Sequence, residues 1–265
     1  MINFDFKDKT VLIVAGSSGI GGELCNQFLN FGAKVCIISN SFEKLSKMAK
    51  KNKRYEKNLM IIRFNLEKKT TMKNINKILI KVRKKFKTNI DILINNSGGP
   101  PLKKIVNLRE RDIYKSLNMN LINQIYFSIN AIKVMNKQKW GRIINLTSST
   151  AKEPAKNMVL SNIFRAALSS FSKTLSIETA KKGVTVNTIL TGGVATNRLL
   201  NLLKKRANKK NIKTELKKLS SNRPVGYLAD PKNFIQLILF LSTEQASYVS
   251  GASIFVDGGT SKSLF

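Results

Sequence analysis

The sequence predicts an α/β fold, a doubly wound parallel sheet with helices on both faces, built as one domain over residues 1–265. Strand-like and helix-like runs alternate along the whole chain, and this alternation requires a parallel sheet with right-handed crossovers. A strand, a glycine-rich turn and a helix also follow one another near the start. The chain is long enough to bury a full core, and no linker rich in Pro, Gly or Ser divides it.

Each predicted strand is a short run of apolar and β-branched residues, as expected for strands that are buried on both faces. In chain order these strands are 11–14, 34–39, 60–64, 91–95, 142–146, 185–190 and 253–256. The predicted helices carry apolar residues three and four positions apart. One follows the glycine-rich turn, one begins near 41, one ends near 86, and the others span about 113–136, 161–182 and 231–241.

Residues 10–22, TVLIVAGSSGIGG, form the first strand–turn–helix unit. We expect Gly16 to take backbone angles that allow the tight turn. Gly19 and Gly21 lack a Cβ, so we expect them to let phosphates approach the helix. The N–H groups at a helix N-terminus attract anions. The unit indicates a Rossmann-type dinucleotide site, with an ordinary strand–helix turn as the alternative. Its expected residues are Gly16, Ser17, Ser18, Gly19, Ile20 and Gly21.

The formal net charge of +32 comes from 37 lysines and 10 arginines against 15 acidic residues. The lysines are spread along the chain among many Asn and Ile residues, a pattern that A/T-rich codon usage produces without selection for binding. We therefore expect solvated lysine surfaces with weak, salt-sensitive adhesion to polyanions, and no specific nucleic-acid partner. The chain has no histidine and no metal-ligand spacing of Asp, Glu or Cys, so no metal site is expected.

The two cysteines, Cys25 and Cys36, fall in an expected helix and an expected strand. This placement favours small, buried, free thiols in a reducing compartment over a disulfide. The chain contains neither a run of apolar residues long enough to span a bilayer nor an N-terminal leader pattern. These observations predict a cytoplasmic protein with no membrane partner.

Several segments, in order and at family spacing, together resemble the short-chain dehydrogenase/reductase family over essentially the whole chain. The matching positions are 15–21 for the glycine motif, 95–98 for the NNAG motif, Asn120 for the helix asparagine, Ser148 for the strand-end serine, 191–196 for the PGxxxT turn and 243–259 for the last strand and its approach. The branch that contains 3-oxoacyl-carrier-protein reductases is the most similar. The resemblance implies an NAD(P)-dependent oxidoreductase that interconverts a carbonyl and a secondary alcohol by hydride transfer.

The sequence departs from the family at its catalytic YxxxK pair, where Ser161 and Arg165 stand instead. A serine hydroxyl is a far weaker acid than a phenol, and a guanidinium cannot relay a proton, although it can stabilise a developing alkoxide. Our hypothesis is that Ser148 and Ser161 orient the substrate carbonyl, while Arg165 holds the nicotinamide ribose. A water linked to Ser161 and Asn120 would deliver the proton. The alternative is a non-catalytic dinucleotide-binding protein.

The second predicted strand ends at Ser39 and Asn40, where a carboxylate would bind the adenosine ribose of NAD. Because no carboxylate is present to repel a 2′-phosphate, we expect NADP(H) over NAD(H), with Lys44 or Arg63 as sources of positive charge. The resemblance also implies an adenine edge and further cofactor contacts. These residues are Asn65, Leu66, Asn96, Ser97, Gly98, Arg165, Gly192 and Thr196.

Residues 197–222 are lysine-rich, carry leucines at helical spacing and match the family's substrate lid. An ordinary solvated pair of helices explains the same pattern. The lysines favour an acidic or carrier-linked carbonyl substrate. The resemblance further implies a homotetramer or homodimer formed through helices 113–136 and 161–182. Apolar residues that could serve either this interface or the core are Val159, Phe164, Ala167, Leu168 and Phe171.

Overall fold

A computed structural model describes residues 4–206 and 212–264, and its seven strands form one sheet whose pairs are all parallel. The strand order is β3-β2-β1-β4-β5-β6-β7. The strands are β1 Thr10–Val14, β2 Lys34–Ser39, β3 Leu59–Arg63, β4 Ile92–Asn95, β5 Gly141–Leu146, β6 Val184–Thr191 and β7 Ser253–Val256.

Helices connect the strands and cover both faces of the sheet. They are α1 Gly19–Asn30, α2 Phe42–Lys51, α3 Met72–Phe86, α4 Glu110–Leu117, α5 Asn123–Gln138, α6 Val159–Thr179, α7 Asn197–Arg206, α8 Ile212–Ser221, α9 Pro231–Phe234 and α10 Gln236–Leu241. Short 3₁₀ turns lie at Lys53–Tyr55, Ile105–Asn107, Ser149–Ala151 and Ala180–Lys182, and a π-helical segment at Asn118–Ile122 joins α4 to α5.

The sheet is buried because alternate side chains of its central strands point into two separate apolar clusters. In β1, Val11 and Ile13 pack into one cluster with residues of α1, α2 and α10. Leu12 and Val14 pack into the other cluster with residues of α3, α5 and α6. Burial on both faces explains why the central strands read as continuous apolar runs. The predicted doubly wound fold with helices on both faces is confirmed.

The strand order reverses between β1 and β4. The chain moves outward from β1 through β2 to β3, and then returns so that β4 pairs with β1 on its other side. The connections leaving the carboxyl ends of β1 and β4 therefore diverge, and they open a crevice where doubly wound sheets bind ligands. The predicted site residues are concentrated at this edge.

The structure corrects three predicted helices. The helix expected over 113–136 begins at Glu110 and contains the π-helical segment, whose extra residue per turn a 3.6-residue pattern cannot reveal. The helix expected over 161–182 runs from Val159 to Thr179 and finishes as a 3₁₀ turn. The helix expected over 231–241 breaks at Ile235 into α9 and α10.

Cys25 and Cys36 are buried and free, as predicted. Burial raises the pKa of the Cys25 thiol to about 12, so little thiolate forms at neutral pH. No helix within residues 4–206 and 212–264 is long and apolar enough to cross a membrane. In the same residues, no three His, Cys, Asp or Glu side chains converge as metal ligands.

Candidate active site

The glycine-rich turn links β1 to α1, and its conformation differs from the predicted one. The left-handed residues are Ala15, with φ of 53°, and Gly19, with φ of 56°, whereas Gly16 has no positive φ. Gly16 is required for packing instead, because a Cβ there would lie 2.7 Å from Cγ2 of Ile37. A Cβ on Gly21 would lie 2.5 Å from the Ala15 carbonyl oxygen. The lack of a side chain at these positions therefore lets the turn pack closely against Ile37 of β2 and the start of α1 against Ala15.

A cleft of about 980 Å³, which we call the phosphate cleft, lies over this turn and the first residues of α1. Three lysines of α2, Lys44, Lys47 and Lys51, contribute to its wall. The N-terminal N–H groups of α1 and these ammonium groups make the cleft suitable for phosphates. It brings together the predicted residues Ser17, Ser18, Gly19, Ile20, Asn96, Ser97, Gly98 and Thr196.

The other predicted cofactor residues lie beside or behind this cleft. The Ser17 hydroxyl donates to Ser39 Oγ at 2.7 Å, which ties the turn to the end of β2. Asn40 is exposed, and its carbonyl oxygen accepts a hydrogen bond of 3.3 Å from Nε of Arg63. The guanidinium of Arg63, the last residue of β3, therefore lies beside the end of β2, where neither Ser39 nor Asn40 supplies a carboxylate.

Asn65 and Leu66 shape the loop that follows β3. Oδ1 of Asn65 accepts from the N–H of Glu67 at 2.9 Å, which fixes the loop's first turn. Leu66 is buried, and its carbonyl oxygen accepts from Nδ2 of Asn123 at 2.7 Å. These bonds anchor the loop to α5 beside the end of β2.

Asn120 lies in the π-helical segment and is completely buried. Its Oδ1 accepts from the Ser97 hydroxyl at 3.0 Å, and its Nδ2 donates to the Ser116 carbonyl at 3.1 Å. The structure thus places Asn120 behind Ser97 and not on the wall of the cavity that holds Ser161. The predicted water between Asn120 and Ser161 stays a prediction, and the contact of Asn120 towards the cavities is its bond with Ser97.

Three hydroxyl groups lie together at the carboxyl end of β5. Ser148 follows the strand, and Ser161 lies in the first turn of α6. Thr150 bridges them: its hydroxyl donates to Ser148 Oγ at 3.2 Å and lies 3.2 Å from Ser161 Oγ. All three residues line a cavity of about 410 Å³, which we call the hydroxyl cavity. The sequence analysis missed Thr150, although the hydroxyl-rich run TSST after β5 was a signal for it.

Arg165 lies one helical turn after Ser161 and is only 5% exposed. Its Nη1 donates to the Leu146 carbonyl at 2.6 Å, while its buried Nε has no hydrogen-bond partner among the described residues. Burial, and then the like charge of Arg198, lower the pKa of Arg165 to about 10. The group therefore remains protonated at neutral pH and places a positive charge in the hydroxyl cavity.

Two further arginines that the sequence analysis did not single out line the same cavity. Nη2 of Arg198 donates to the Gly99 carbonyl at 2.6 Å, which joins the start of α7 to the loop after β4. Arg223 lies against Gly193, in the turn after β6. Burial lowers the pKa of both guanidinium groups. Their signal in the sequence was the scarcity of arginine in a chain whose cations are mostly lysine.

The remaining predicted residues are close by. Gly192 lines the hydroxyl cavity and donates its N–H to the Val256 carbonyl at 3.0 Å. Thr196 lines both cavities. The predicted helical pair of 197–222 is present as α7 and α8, except for 207–211, which lie outside the described residues. Its Leu199, Leu203 and Leu219 line the hydroxyl cavity.

Comparisons with known proteins show the family of this chain. The family model "short chain dehydrogenase" matches residues 9–207. The chain is 30% identical over 257 residues to the 3-oxoacyl-[acyl-carrier-protein] reductase FabG of Rickettsia typhi, covering 96% of this chain and 98% of that protein.

Two solved structures share the fold. L-sorbose reductase from Gluconobacter frateurii, complexed with NADPH and L-sorbose, has a TM-score of 0.91 at 24% identity, covering 99% of this chain and 100% of that one. YwfH, an NADPH-dependent reductase involved in bacilysin biosynthesis, has a TM-score of 0.87 at 26% identity, covering 97% of this chain and 99% of that one.

Proposed function

The chain belongs to the short chain dehydrogenase family, and from that premise we propose that it is an NADP(H)-dependent oxidoreductase that interconverts a carbonyl and a secondary alcohol. The observation that carries the proposal is the meeting of the phosphate cleft and the hydroxyl cavity at one edge of the sheet. Ile20, Asn96, Ser97 and Thr196 are among the residues that line both. A dinucleotide lying across these shared residues would bring its nicotinamide to the hydroxyl groups.

The phosphate cleft fits a dinucleotide on the geometry of the chain alone. Gly19 lines the cleft without a side chain, and the α1 N-terminus offers N–H groups to a pyrophosphate. At the adenosine end, Arg63 is hydrogen-bonded beside Asn40 and can meet a 2′-phosphate. The absence of a carboxylate in Ser39 and Asn40 and the NADPH dependence of YwfH support NADP(H) over NAD(H).

The hydroxyl cavity supplies groups for a carbonyl oxygen. When bound, the reduced nicotinamide supplies a hydride to the carbonyl carbon. Ser148 and Ser161 would hydrogen-bond the carbonyl oxygen, and Thr150 would hold both hydroxyls in place. Arg165 would hold the ribose and stabilise the negative charge that develops on the oxygen. Preorganised charge of this kind acts strongly in a water-poor site.

The proton donor of this proposal is atypical, because Ser161 and Arg165 occupy the positions of the family's tyrosine and lysine. A serine hydroxyl is too weakly acidic to be the final source of the proton at neutral pH. Our proposal is that a water reached through the Ser148–Thr150–Ser161 hydroxyls supplies it. Asn120 would contribute by fixing Ser97, since their side chains are bonded.

We also propose a cytoplasmic homo-oligomer formed along α5 and α6, with α7 and α8 as the substrate lid. Phe164 and Leu168, which could have served such an interface, are buried within the protomer. Ile163 and Ile177 of α6 are 52% and 69% exposed and are better placed for a contact between subunits. The molar mass from light scattering would test the assembly.

The function is tested by the oxidation of NADPH and NADH with purified protein and a panel of 3-oxoacyl thioesters, diketones and sugar-derived ketones. We expect turnover with NADPH, and a decrease of about 10²-fold or more in Ser161→Ala, the range for loss of a proton-transfer group. A Ser161→Tyr/Arg165→Lys double variant restores the family pair. Cofactor binding without turnover, together with activity gained by the double variant, would instead favour the non-catalytic protein.

A further inference from the structure

Three arginines, Arg165, Arg198 and Arg223, line the hydroxyl cavity. They are three of only 10 arginines in the chain. No Asp or Glu side chain contributes to the wall of this cavity within the described residues. Four ion pairs link side chains in the same residues, and none of them includes these three arginines. Partly or fully buried cations without a carboxylate are costly, and an anionic ligand would relieve that cost.

Arg223 is the member of this set whose surroundings point most clearly to a ligand. It follows α8, lies against Gly193 and Leu228, and donates from Nη1 to the Leu219 carbonyl. Its Nε is buried and has no hydrogen-bond partner among the described residues. Within residues 4–206 and 212–264 the guanidinium is thus held by one backbone carbonyl, which leaves N–H groups available to an anion.

Asp257 is the acidic residue whose charge reaches Arg223. Its carboxylate is already engaged: Oδ1 accepts from the N–H of Gly259 at 3.1 Å, and Oδ2 accepts from the N–H of Ser261 at 2.9 Å. These bonds hold the carboxylate in the turn after β7. Asp257 therefore weakens the positive field at Arg223 without pairing with it.

The cofactor phosphates do not account for these charges. They belong to the phosphate cleft, whose wall contains Lys44, Lys47 and Lys51. Arg198 lines both cavities and can serve a phosphate of the cofactor. Arg165 and Arg223 line the hydroxyl cavity and do not line the phosphate cleft. Arg165 stands next to the reacting hydroxyls, which leaves Arg223 for another part of the substrate.

We infer that the substrate is a ketone or secondary alcohol that carries an anionic oxygen group, a carboxylate or a phosphate ester, and that Arg223 binds this group. The inference rests on the proposed function, because it assumes that the carbonyl lies at Ser148 and Ser161. A planar guanidinium fits both groups, since its N–H donors match two oxygens at once. The lid would thereby select charged substrates over neutral ones of the same size.

The test compares charged and neutral ketones at 0.15 M salt or above, which suppresses general attraction to a basic protein. One pair, 4-oxopentanoate and its methyl ester, is matched in shape, whereas the members of the other pair, dihydroxyacetone phosphate and dihydroxyacetone, differ by the phosphate itself. We expect kcat/KM with NADPH to be about 10- to 100-fold higher for the charged member of at least one pair, the range for a hydrogen bond to a charged group. The pair that responds identifies the anion. Equal values within both pairs would overturn the inference while leaving the reductase intact.

Variants assign the effect to Arg223. Arg223→Gln should remove the preference for the anion, lowering kcat/KM for the charged ketone about 10- to 100-fold more than for the neutral one, whereas Arg223→Lys should keep part of the preference. Arg83→Gln is the matched control, because it removes the same charge from an exposed site on α3. An equal decrease for both members of a pair in Arg223→Gln would show a structural role instead.

A binding measurement separates this inference from the proposed function. Titration of the NADP⁺-saturated protein with the same four compounds, followed by calorimetry, requires no turnover. If no ketone is reduced but a charged compound binds and Arg223→Gln weakens its binding at least 10-fold, the anion site stands and the reductase fails. If neither charged compound binds more tightly than its neutral partner, the anion site fails.

Discussion

Arg142 and Arg165 are both buried at opposite ends of β5: Arg142 belongs to the strand, and Arg165 contacts it from α6. Arg142, at the amino end, is 1% exposed and is satisfied by the protein. It donates to the carbonyls of Thr243, Gly141 and Gly183 at 2.9, 2.9 and 3.2 Å, and pairs with Glu244 at 3.1 Å. Its guanidinium carbon also lies 4.5 Å from the centre of the Trp140 ring. Arg165, at the carboxyl end, has the Leu146 carbonyl and a buried Nε without a partner among the described residues.

The contrast is between a cation that the protein itself satisfies and one to which we propose a functional role. Both arginines lose solvation on folding, which lowers the pKa of each. At the amino end the fold replaces the lost water with carbonyls, a carboxylate and an aromatic face. At the carboxyl end it supplies one carbonyl and a second cation, Arg198, so the site is electrostatically incomplete without a ligand. A buried cation that lines a cavity and lacks partners is a candidate for ligand binding, which is why we propose that role for Arg165.

The largest expected effect is on turnover in Arg165→Met. We expect kcat to fall about 10²- to 10³-fold, as when one preorganised donor to a developing oxyanion is lost. The free energy of unfolding of the ligand-free protein should stay constant or increase, because an incompletely satisfied charge is replaced by an apolar side chain. Steady-state kinetics and urea denaturation measure the two quantities. A lower free energy of unfolding with unchanged kcat would show instead that Arg165 stabilises the fold and takes no part in turnover.

The reverse behaviour is expected of Arg142→Met. Its removal leaves three carbonyls and Glu244 without their donor, so the free energy of unfolding should fall by about 3 kcal/mol. Turnover per folded molecule should not change, because Arg142 lies at the far end of the strand. Denaturation followed by circular dichroism, with kcat measured on the folded fraction, checks both points. A large decrease in kcat would contradict the separation of the two ends.

A smaller effect is expected of Thr150→Val, which removes the hydroxyl between Ser148 and Ser161 and nearly keeps the shape of the side chain. We expect kcat to fall about 10-fold, less than for loss of a proton-transfer group itself, because both serines remain. Thr174→Val, at an exposed position of α6, is the matched control. If Thr150→Val and Thr174→Val have equal kcat values, the hydroxyl bridge plays no part in turnover.

The smallest effect is on the pH dependence of stability. The pKa of Arg165 is about 10 in the folded protein against an ordinary value of 12.5, so its protonated form is disfavoured by folding. This lowers the free energy of unfolding by its full amount below pH 10. The loss of stability fades as the pH rises from 10 towards 12.5, because Arg165 releases its proton in the folded protein while the unfolded chain still keeps it. Relative to Arg165→Met, the wild type should therefore gain about 1 kcal/mol between pH 9 and pH 10.5. A constant difference across that range would refute the lowered pKa.

The strands were predictable because they are buried on both faces, and burial forces nearly every residue in them to be apolar. β2 and β7 were predicted with their observed limits, and the other strands within one or two residues. The helices were less predictable where backbone geometry is irregular. The π-helical turn around Asn120 and the break at Ile235 arise from packing against neighbouring elements, which a periodic pattern does not encode.

The candidate site was predictable only as far as its residues follow strand ends. Ser97 and Ser148 each lie two residues after the end of a strand, β4 and β5, so the rule that parallel sheets bind ligands at the carboxyl ends of their strands led to them. Thr150 and Arg223 were missed, because their roles depend on contacts with Ser161 and Gly193, which come from other elements. The local sequence of each carries no sign of those partners.

The sequence by itself determined the doubly wound fold, the glycine-rich turn after β1, the lack of a carboxylate in Ser39 and Asn40, and the presence of Ser161 and Arg165 on α6, where we propose that they replace the family's tyrosine and lysine. These are properties of residue type and periodicity along the chain. The tertiary structure alone decided which cations are satisfied by the protein and which face a cavity. The reason is physical: the cost of a charge depends on its burial and on its distance to partners, and both are properties of packing.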